Sequence, residues 1–206
     1  MRKRVLILDL DNTIFPVSSI GDTLFAPLFD LIKADERAAA KFDEIRKQVM
    51  RRPFQRVAED FHFSKELTDK GIEILKGLSY NGNIEPFSDY GIIRKLSIDK
   101  FLVTTGFTKM QQSKVDAMQL KRDFKEIYII DPVNTDKVKK DVFAELIEQY
   151  HYDKNEVIVV GDDLYSEIKA AQDLGIDTVL YDKLGLYKNE KSVIRITDFA
   201  ELTARF

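Results

Sequence analysis

The sequence feature that most constrains the fold is a series of short runs of branched apolar residues. They occupy residues 5–8, 101–103, 127–130, 157–160 and 178–181. Their apolarity is continuous rather than alternating, which is typical of strands buried on both faces, as in a parallel sheet. We therefore expect these runs to be the strands of one buried parallel sheet.

Helical patterns separate the apolar runs. Apolar residues at three-to-four spacing predict an amphipathic helix over residues 137–150. A second helix is predicted over residues 164–174, ending at Gly175, and a third over residues 108–120. This alternation of strands and helices predicts an α/β fold with a doubly wound parallel sheet.

Residues 17–84 break this alternation. They contain no convincing strand pattern, whereas their apolar residues recur at helical spacing, as in Ile20, Leu24, Leu28 and Ile32. Turn-forming residues cluster at both ends of the segment, near Pro16 and near residues 81–83. We predict a core domain formed by residues 1–16 and 85–206, and an inserted helical domain over residues 17–84.

Composition excludes several classes of function. Of the 206 residues 44% are hydrophobic and 33% charged, as in a soluble globular protein. The net charge of −3 gives no basic excess that would indicate a nucleic-acid or membrane-surface partner. No stretch approaches the roughly 18 apolar residues of a membrane span. The absence of cysteine excludes disulfides, thiolate catalysis and cysteine metal sites, and is compatible with the cytoplasmic location that we expect.

Polar residues follow the predicted strands at the ends where sites of open α/β sheets assemble. They are Asp9 and Asp11 after the first run, Thr104, Thr105 and Gly106 after the second, and Asp162 and Asp163 after the fourth. The helix after the third run begins near Lys137. Acids, a hydroxyl group and a lysine at one edge suit phosphoryl transfer from an anionic monoester.

Each of these residue types has a role in that chemistry. Carboxylates repel a phosphate unless a divalent cation bridges them, and Asp9 and Asp162 are the natural ligands for Mg²⁺. A carboxylate facing the phosphorus can attack it, and a neighbouring acid can protonate the leaving alcohol and then activate water. Thr104 and the amides of Thr105 and Gly106 can donate hydrogen bonds to phosphoryl oxygens, while a lysine adds positive charge.

These motifs, in this order, resemble the haloacid dehalogenase (HAD) superfamily, which consists largely of phosphatases. The first motif, Asp-x-Asp-x-Thr, occurs at residues 9–13, and the second, a strand ending in Thr or Ser, occurs at residues 104–106. The third is a lysine at the start of a helix, and the fourth, Gly-Asp followed by further acid, occurs at residues 161–163. The resemblance covers residues 5 to about 181.

The resemblance implies a role for each acid. Asp9 would be the nucleophile and Asp11 the general acid and base. Mg²⁺ would be held by Asp9, by the backbone carbonyl of Asp11 and by Asp162. The helical insertion would be a cap that closes over the substrate, and the substrate would be a small phosphorylated metabolite.

The sequence departs from the family pattern at two places. The prolines that usually follow the third-motif lysine are missing, so Lys137 is the preferred candidate while Lys139 and Lys140 stay open. The second acid of the fourth motif is Glu167 rather than Asp. Asp163 is interpreted as support for the metal site, with an N-cap for the helix from Leu164 as the alternative.

The predicted function is a Mg²⁺-dependent phosphomonoester hydrolase that uses an aspartyl-phosphate. A dehalogenase is the enzymatic alternative, but in that subset the second acid of the first motif is absent, whereas Asp11 is present here. A phospho-receiver module and a catalytically idle binding protein are the remaining alternatives. The first motif also resembles that of pyrimidine nucleotidases, which makes a nucleoside 5′-monophosphate the first candidate substrate.

Overall fold

The computed structural model describes residues 2–206, and within them the chain forms one sheet of six strands. The strands are β1 (Val5–Leu8), β2 (Asp99–Thr105), β3 (Glu126–Ile130), β4 (Val157–Gly161), β5 (Asp177–Tyr181) and β6 (Ile194–Ile196). All neighbours pair in parallel, in the order β3-β2-β1-β4-β5-β6. The predicted doubly wound parallel sheet is confirmed. β6 was not predicted, since it spans only three residues and Ile194 is exposed.

The α-helices lie in an insertion after β1 and between the later strands. In chain order they are α1 (Gly21–Leu24), α2 (Ala26–Ala34), α3 (Glu36–Ala39), α4 (Phe42–Val49), α5 (Phe54–Asp60), α6 (Lys65–Gly77), α7 (Tyr90–Lys95), α8 (Thr108–Ala117), α9 (Lys139–Tyr150) and α10 (Lys169–Gln172). Short 3-10 helices are Val17–Ser19, Leu120–Arg122, Lys154–Glu156 and Phe199–Arg205. The helix predicted over residues 164–174 begins as a π-helical turn, Leu164–Ile168.

The two faces of the sheet are buried by different helices. Because side chains alternate along a strand, Leu6 and Leu8 point to one face and Val5 and Ile7 to the other. Leu6 and Leu8 join a core that includes apolar residues of α2, α7 and α8, whereas Val5 and Ile7 pack with those of α9. Burial on both faces explains why the strands are continuously apolar.

The insertion after β1 is helical, as its periodicity predicts. Helices α1–α6 all fall within it, and α2 packs against both α4 and α6. Close helix packing depends on Gly71 of α6, because a Cβ there would lie 2.6 Å or less from the ring of Phe54. The division into two domains at residues 17 and 84 stays a prediction.

The order of the strands places a crevice beside β1. The chain runs from β1 to β2 and β3 on one side, and through β4, β5 and β6 on the other. Leu8, at the end of β1, lies opposite Leu102 of β2 and Val160 of β4. The residues after these positions therefore meet at the carboxyl edge of the sheet, where ligands bind in such folds.

No helix within residues 2–206 combines the length and apolarity that crossing a membrane requires.

Candidate active site

An open cleft lies at the carboxyl edge of the sheet, beneath the helical insertion. It brings together the candidate residues of the sequence analysis with two exceptions, Lys137 and Lys140. Those that line it are Asp9, Asp11, Thr104, Thr105, Gly106, Lys139, Asp162, Asp163 and Glu167. Residues far apart in the chain thus share one site, as expected for a crevice at a topological switch point.

Asp9 and Lys139 form a buried ion pair at the base of the cleft. The Lys139 ammonium donates to Asp9 Oδ1 at 2.7 Å and to Glu167 Oε2 at 2.6 Å. All three side chains are less than a tenth exposed. Burial raises the pKa of Asp9 despite the opposing charge of Lys139, and Glu167 raises it further. The pKa of Lys139 is raised because the attraction of both carboxylates outweighs its burial.

Carboxylate oxygens of Asp9, Asp162 and Glu167 lie within 4.8 Å of one another. Burial and the neighbouring charges of Glu167 and Asp9 raise the pKa of Asp162 well above its usual range. Three acids around one ammonium leave an excess of negative charge, which a divalent cation would compensate. An all-oxygen donor set is the kind that Mg²⁺ prefers, so the residues fit this ion.

The structure corrects the lysine assignment from Lys137 to Lys139. Lys137 is exposed, and its ammonium pairs with Glu145 on the outer side of α9 at 2.7 Å. Lys140 is also exposed. The reason is that α9 begins two residues later than predicted, because the Asp141 carboxylate accepts a hydrogen bond from the Val138 amide at 2.9 Å. An acid three residues after a helix N-cap is a sequence signal for this start.

Two residues in the site, Gln111 and Lys114 of α8, were not predicted. The Lys114 ammonium donates to Asp11 Oδ1 at 2.8 Å and to Gln111 Oε1 at 2.7 Å. Gln111 Nε2 donates to Asp11 Oδ2 at 3.0 Å and to Thr104 Oγ1 at 2.6 Å. A signal was present in the sequence, since both residues share one helical face with the apolar Val115 and Met118.

Thr104 is placed to donate a hydrogen bond into the cleft. It is 1% exposed, and its Oγ1 accepts from Gln111 Nε2. Because a hydroxyl group can accept and donate at once, the Thr104 proton stays available for an incoming oxygen. Thr105 also lines the cleft and is half-buried.

Gly106 lines the cleft, but the structure corrects its expected role as an amide donor. Its backbone amide donates to the Ile130 carbonyl at 3.0 Å, so the amide is already used within the fold. A Cβ at this position would lie 2.9 Å from Gln111 Cδ. The missing side chain therefore makes room for Gln111.

Asp163 has the role of an N-cap, which was the alternative interpretation. Its Oδ1 accepts from the Tyr165 amide at 2.8 Å at the start of the π-helical turn. Its own amide donates to Glu167 Oε1 at 2.8 Å. Asp163 is absent from the clustered acids among the described residues. Its support for the site therefore acts through the backbone, which orients Glu167.

Gly161 is required for Glu167 to reach the cleft. A Cβ at Gly161 would overlap the carboxylate and Cγ of Glu167, whose side chain is buried and held by Lys139 and the Asp163 amide. We expect Gly161→Ala to displace Glu167 from Lys139 and to lower stability by about 1–3 kcal/mol. Denaturant unfolding measures this loss. Gly77→Ala is the matched control, since nothing lies within 4 Å of a Cβ there. Equal stability of the two variants would contradict this account.

Comparisons with known proteins agree on the kind of fold. A family profile described as haloacid dehalogenase-like hydrolase matches residues 6–181. Two curated relatives are called glyceraldehyde 3-phosphate phosphatase. That of Pyrococcus abyssi is 28% identical over 89 residues, which cover 43% of this chain and 37% of the relative. That of Pyrococcus furiosus is 30% identical over 86 residues, which cover 42% of this chain and 35% of the relative. The chain thus matches less than two fifths of either relative's length.

Among solved structures, the chain is similar to the HAD-hydrolase YfnB from Bacillus subtilis, which was crystallised with magnesium. The TM-score is 0.71, the sequence identity is 19%, and the match covers 99% of this chain and 98% of the other. At that identity the likeness concerns the fold.

Proposed function

The chain belongs to the haloacid dehalogenase-like hydrolase family, and from that premise we propose that it is a Mg²⁺-dependent phosphomonoester hydrolase. Its proposed substrate is a small phosphorylated metabolite, which it hydrolyses through an aspartyl-phosphate on Asp9. The observation that carries the proposal is the presence of two acids of the first motif, Asp9 and Asp11, in one cleft. Each is held by a lysine of its own, Lys139 for Asp9 and Lys114 for Asp11.

Asp9 and Asp11 have different roles in the two steps of the proposed reaction. In the first step an Asp9 oxygen attacks phosphorus and the bond to the alcohol oxygen breaks. Asp11 gives its proton to that oxygen as it leaves. In the second step Asp11, now a carboxylate, takes a proton from water as the water oxygen attacks phosphorus. The bond from Asp9 to phosphorus then breaks, inorganic phosphate is released, and the Asp9 carboxylate and the protonated Asp11 are regenerated.

Lys139 and Thr104 are proposed to bind the phosphoryl group. Lys139 contacts Asp9, whose carboxylate oxygen would bond to phosphorus. The Lys139 ammonium is therefore close to the phosphoryl oxygens on which negative charge develops. The available Thr104 proton provides a second donor on the β2 side. Thr105 lines the same side of the cleft.

Asp9, Asp162 and the backbone carbonyl of Asp11 are the proposed ligands of Mg²⁺. When bound, the ion would neutralise charge between the carboxylates and the phosphoryl oxygens. Glu167 adds to this acidic set, with its remaining oxygen held by the Asp163 amide.

The helical side of the cleft supports a substrate with both apolar and hydrogen-bonding parts. Phe25, Met50 and Phe54 line it together with Arg52 and Gln55. Arg52 Nε is buried and makes no hydrogen bond to any described residue. A nucleoside 5′-monophosphate has an aromatic base, whose flat faces suit apolar side chains and whose edges form hydrogen bonds, and it remains the first candidate. The names of the curated relatives make a triose phosphate the second. A cytoplasmic location, where such metabolites occur, stays a prediction.

Removal of divalent cations is expected to abolish phosphate release. The acids around Lys139 carry an uncompensated negative charge that would repel a phosphomonoester when no cation is bound. Phosphate release from p-nitrophenyl phosphate, measured before and after chelation and again after adding Mg²⁺, tests this expectation. Full turnover in chelator would contradict the proposed metal dependence.

A panel of phosphorylated metabolites identifies the substrate. It should contain nucleoside monophosphates and triose phosphates, with a 2-haloacid added to test the dehalogenase alternative. Release of halide without release of phosphate would overturn the phosphatase proposal. A stable phosphoprotein that shows no continuous turnover would instead support a phospho-receiver, and a protein that binds neither Mg²⁺ nor beryllium fluoride would support an idle binding protein.

A further inference from the structure

We propose that Lys114 and Gln111 are positioning residues that hold the Asp11 carboxyl group in the orientation required for proton transfer to the leaving alcohol. The inference rests on the proposed phosphatase function and adds to it a second group of residues on α8. Neither residue belongs to the four motifs of the sequence analysis.

The hydrogen bonds around Asp11 form a closed network. Lys114 Nζ contacts Asp11 Oδ1 at 2.8 Å, Asp11 Oδ2 at 3.0 Å and Gln111 Oε1 at 2.7 Å. An ammonium only donates, so the Gln111 oxygen must face Lys114 and its amide nitrogen must face Asp11 and Thr104. Both carboxylate oxygens of Asp11 therefore have fixed donors.

Burial separates the roles of Lys114 and Asp11. Both residues line the cleft, but the Lys114 side chain is 1% exposed and its ammonium contacts Asp11 and Gln111, whereas the Asp11 side chain is 28% exposed. A lysine is rarely buried to this extent without a partner whose attraction offsets the free-energy cost of desolvating the ammonium. The Lys114 ammonium is thus engaged by Asp11 and Gln111, while Asp11 keeps an exposed side in the cleft.

The helix that carries both residues is itself anchored to the sheet. Asp131, after β3, accepts hydrogen bonds from the amide and the hydroxyl of Thr108 at the start of α8, both at 2.8 Å. Gly106 leaves the space that the Gln111 side chain occupies. The network is therefore supported by fixed elements, which precise positioning of a reacting group requires.

In the first step, positioning of Asp11 matters only when the leaving group needs a proton. An alkoxide is a poor leaving group, so the alcohol oxygen must receive the Asp11 proton while the ester bond to phosphorus breaks. The p-nitrophenolate ion leaves without a proton. Loss of orientation at Asp11 should therefore lower kcat/KM, which reports on the steps up to departure of the alcohol, far more for alkyl phosphates than for p-nitrophenyl phosphate.

The test compares the two substrate types in the same variant. Lys114→Met and Gln111→Met remove the donors while keeping side chains of similar length. Lys121→Met and Gln112→Met are matched controls, because Lys121 and Gln112 both contact Asp116 near the surface. The ratio of the two kcat/KM values is independent of the folded fraction, so partial unfolding of a variant leaves the test valid.

We expect Lys114→Met to lower kcat/KM by about 100-fold for the alkyl phosphate that the wild-type protein hydrolyses fastest, and by less than about fivefold for p-nitrophenyl phosphate. Gln111→Met should show a smaller effect of the same kind, and both controls should keep the wild-type ratio. Equal losses for both substrates would overturn the positioning role. A wild-type protein that hydrolyses neither substrate would instead contradict the proposed function.

A double-mutant cycle with Asp11→Asn tests whether Lys114 acts through Asp11. If it does, Lys114→Met should change alkyl phosphate turnover by less than about threefold when Asp11 is already Asn, because the proton donor is gone. An additional loss of about 100-fold in that background would overturn the inference, since it would show that Lys114 acts independently of Asp11.

Discussion

Replacement of Asp9 by Asn is expected to reduce phosphomonoester turnover by about 10⁴-fold or more, since removal of a nucleophile can cost up to about 10⁶ in kcat. Asn keeps the size of the side chain, but its amide has no carboxylate oxygen that can attack phosphorus. The substitution also removes one of the three clustered acids. Initial rates with p-nitrophenyl phosphate and saturating Mg²⁺ measure the loss.

Acid quenching with ³²P-labelled substrate separates the role of Asp9 from a general effect on the fold. The wild-type protein should yield an acid-stable, hydroxylamine-labile phosphoenzyme, as an acyl phosphate does, and Asp9→Asn should yield none. Asp173→Asn is the matched control, because Asp173 is a surface acid paired with Lys169. Undiminished turnover in Asp9→Asn, or a phosphoenzyme labelled elsewhere, would contradict the assignment of the nucleophile.

The strands of the core could be predicted because burial on both faces leaves a pattern that depends on no other element. Val5–Leu8 is buried at every position, and so is Val157–Gly161. The same reasoning could not find β6, where exposed Ile194 and half-buried Arg195 leave no continuous apolar run. Its pairing with β5 is a tertiary contact that no local pattern expresses.

The candidate site could be predicted only where chemistry and position coincide in the sequence. Asp9, Asp11 and Asp162 directly follow apolar strands, so the topology brings them together. Gln111 and Lys114 lie within a helix, where a polar residue usually faces solvent. Their burial depends on how α8 packs against the sheet, and this is a property of the tertiary structure.

The lysine of the third motif shows how a small local interaction can change a functional assignment. Lys137 and Lys139 differ by two positions, which is about half a helical turn. The hydrogen bond from the Val138 amide to Asp141 fixes the start of α9 at Lys139. At that position the side chain points back toward the sheet and reaches Asp9.

Exchange of Lys139 for Met is expected to lower turnover by about 10³-fold, whereas Lys137→Met should stay within about twofold of the wild-type rate. Lys139 is the cation shared by Asp9 and Glu167, so its removal leaves buried carboxylates unpaired and deprives the phosphoryl group of a donor. Lys137 is exposed and pairs with Glu145, and such an exposed ion pair contributes little to stability.

The paired variants keep this expectation testable even when Lys139→Met is less stable. Loss of one member of a buried ion pair costs about 3–5 kcal/mol, so denaturant unfolding should accompany the kinetics, and rates should be compared where both variants are folded. Lys139→Arg retains the positive charge and should recover part of the stability. A large loss in Lys137→Met together with normal turnover in Lys139→Met would reverse the assignment. Because the two substitutions are identical in chemistry, any difference between them reports on where each ammonium group lies.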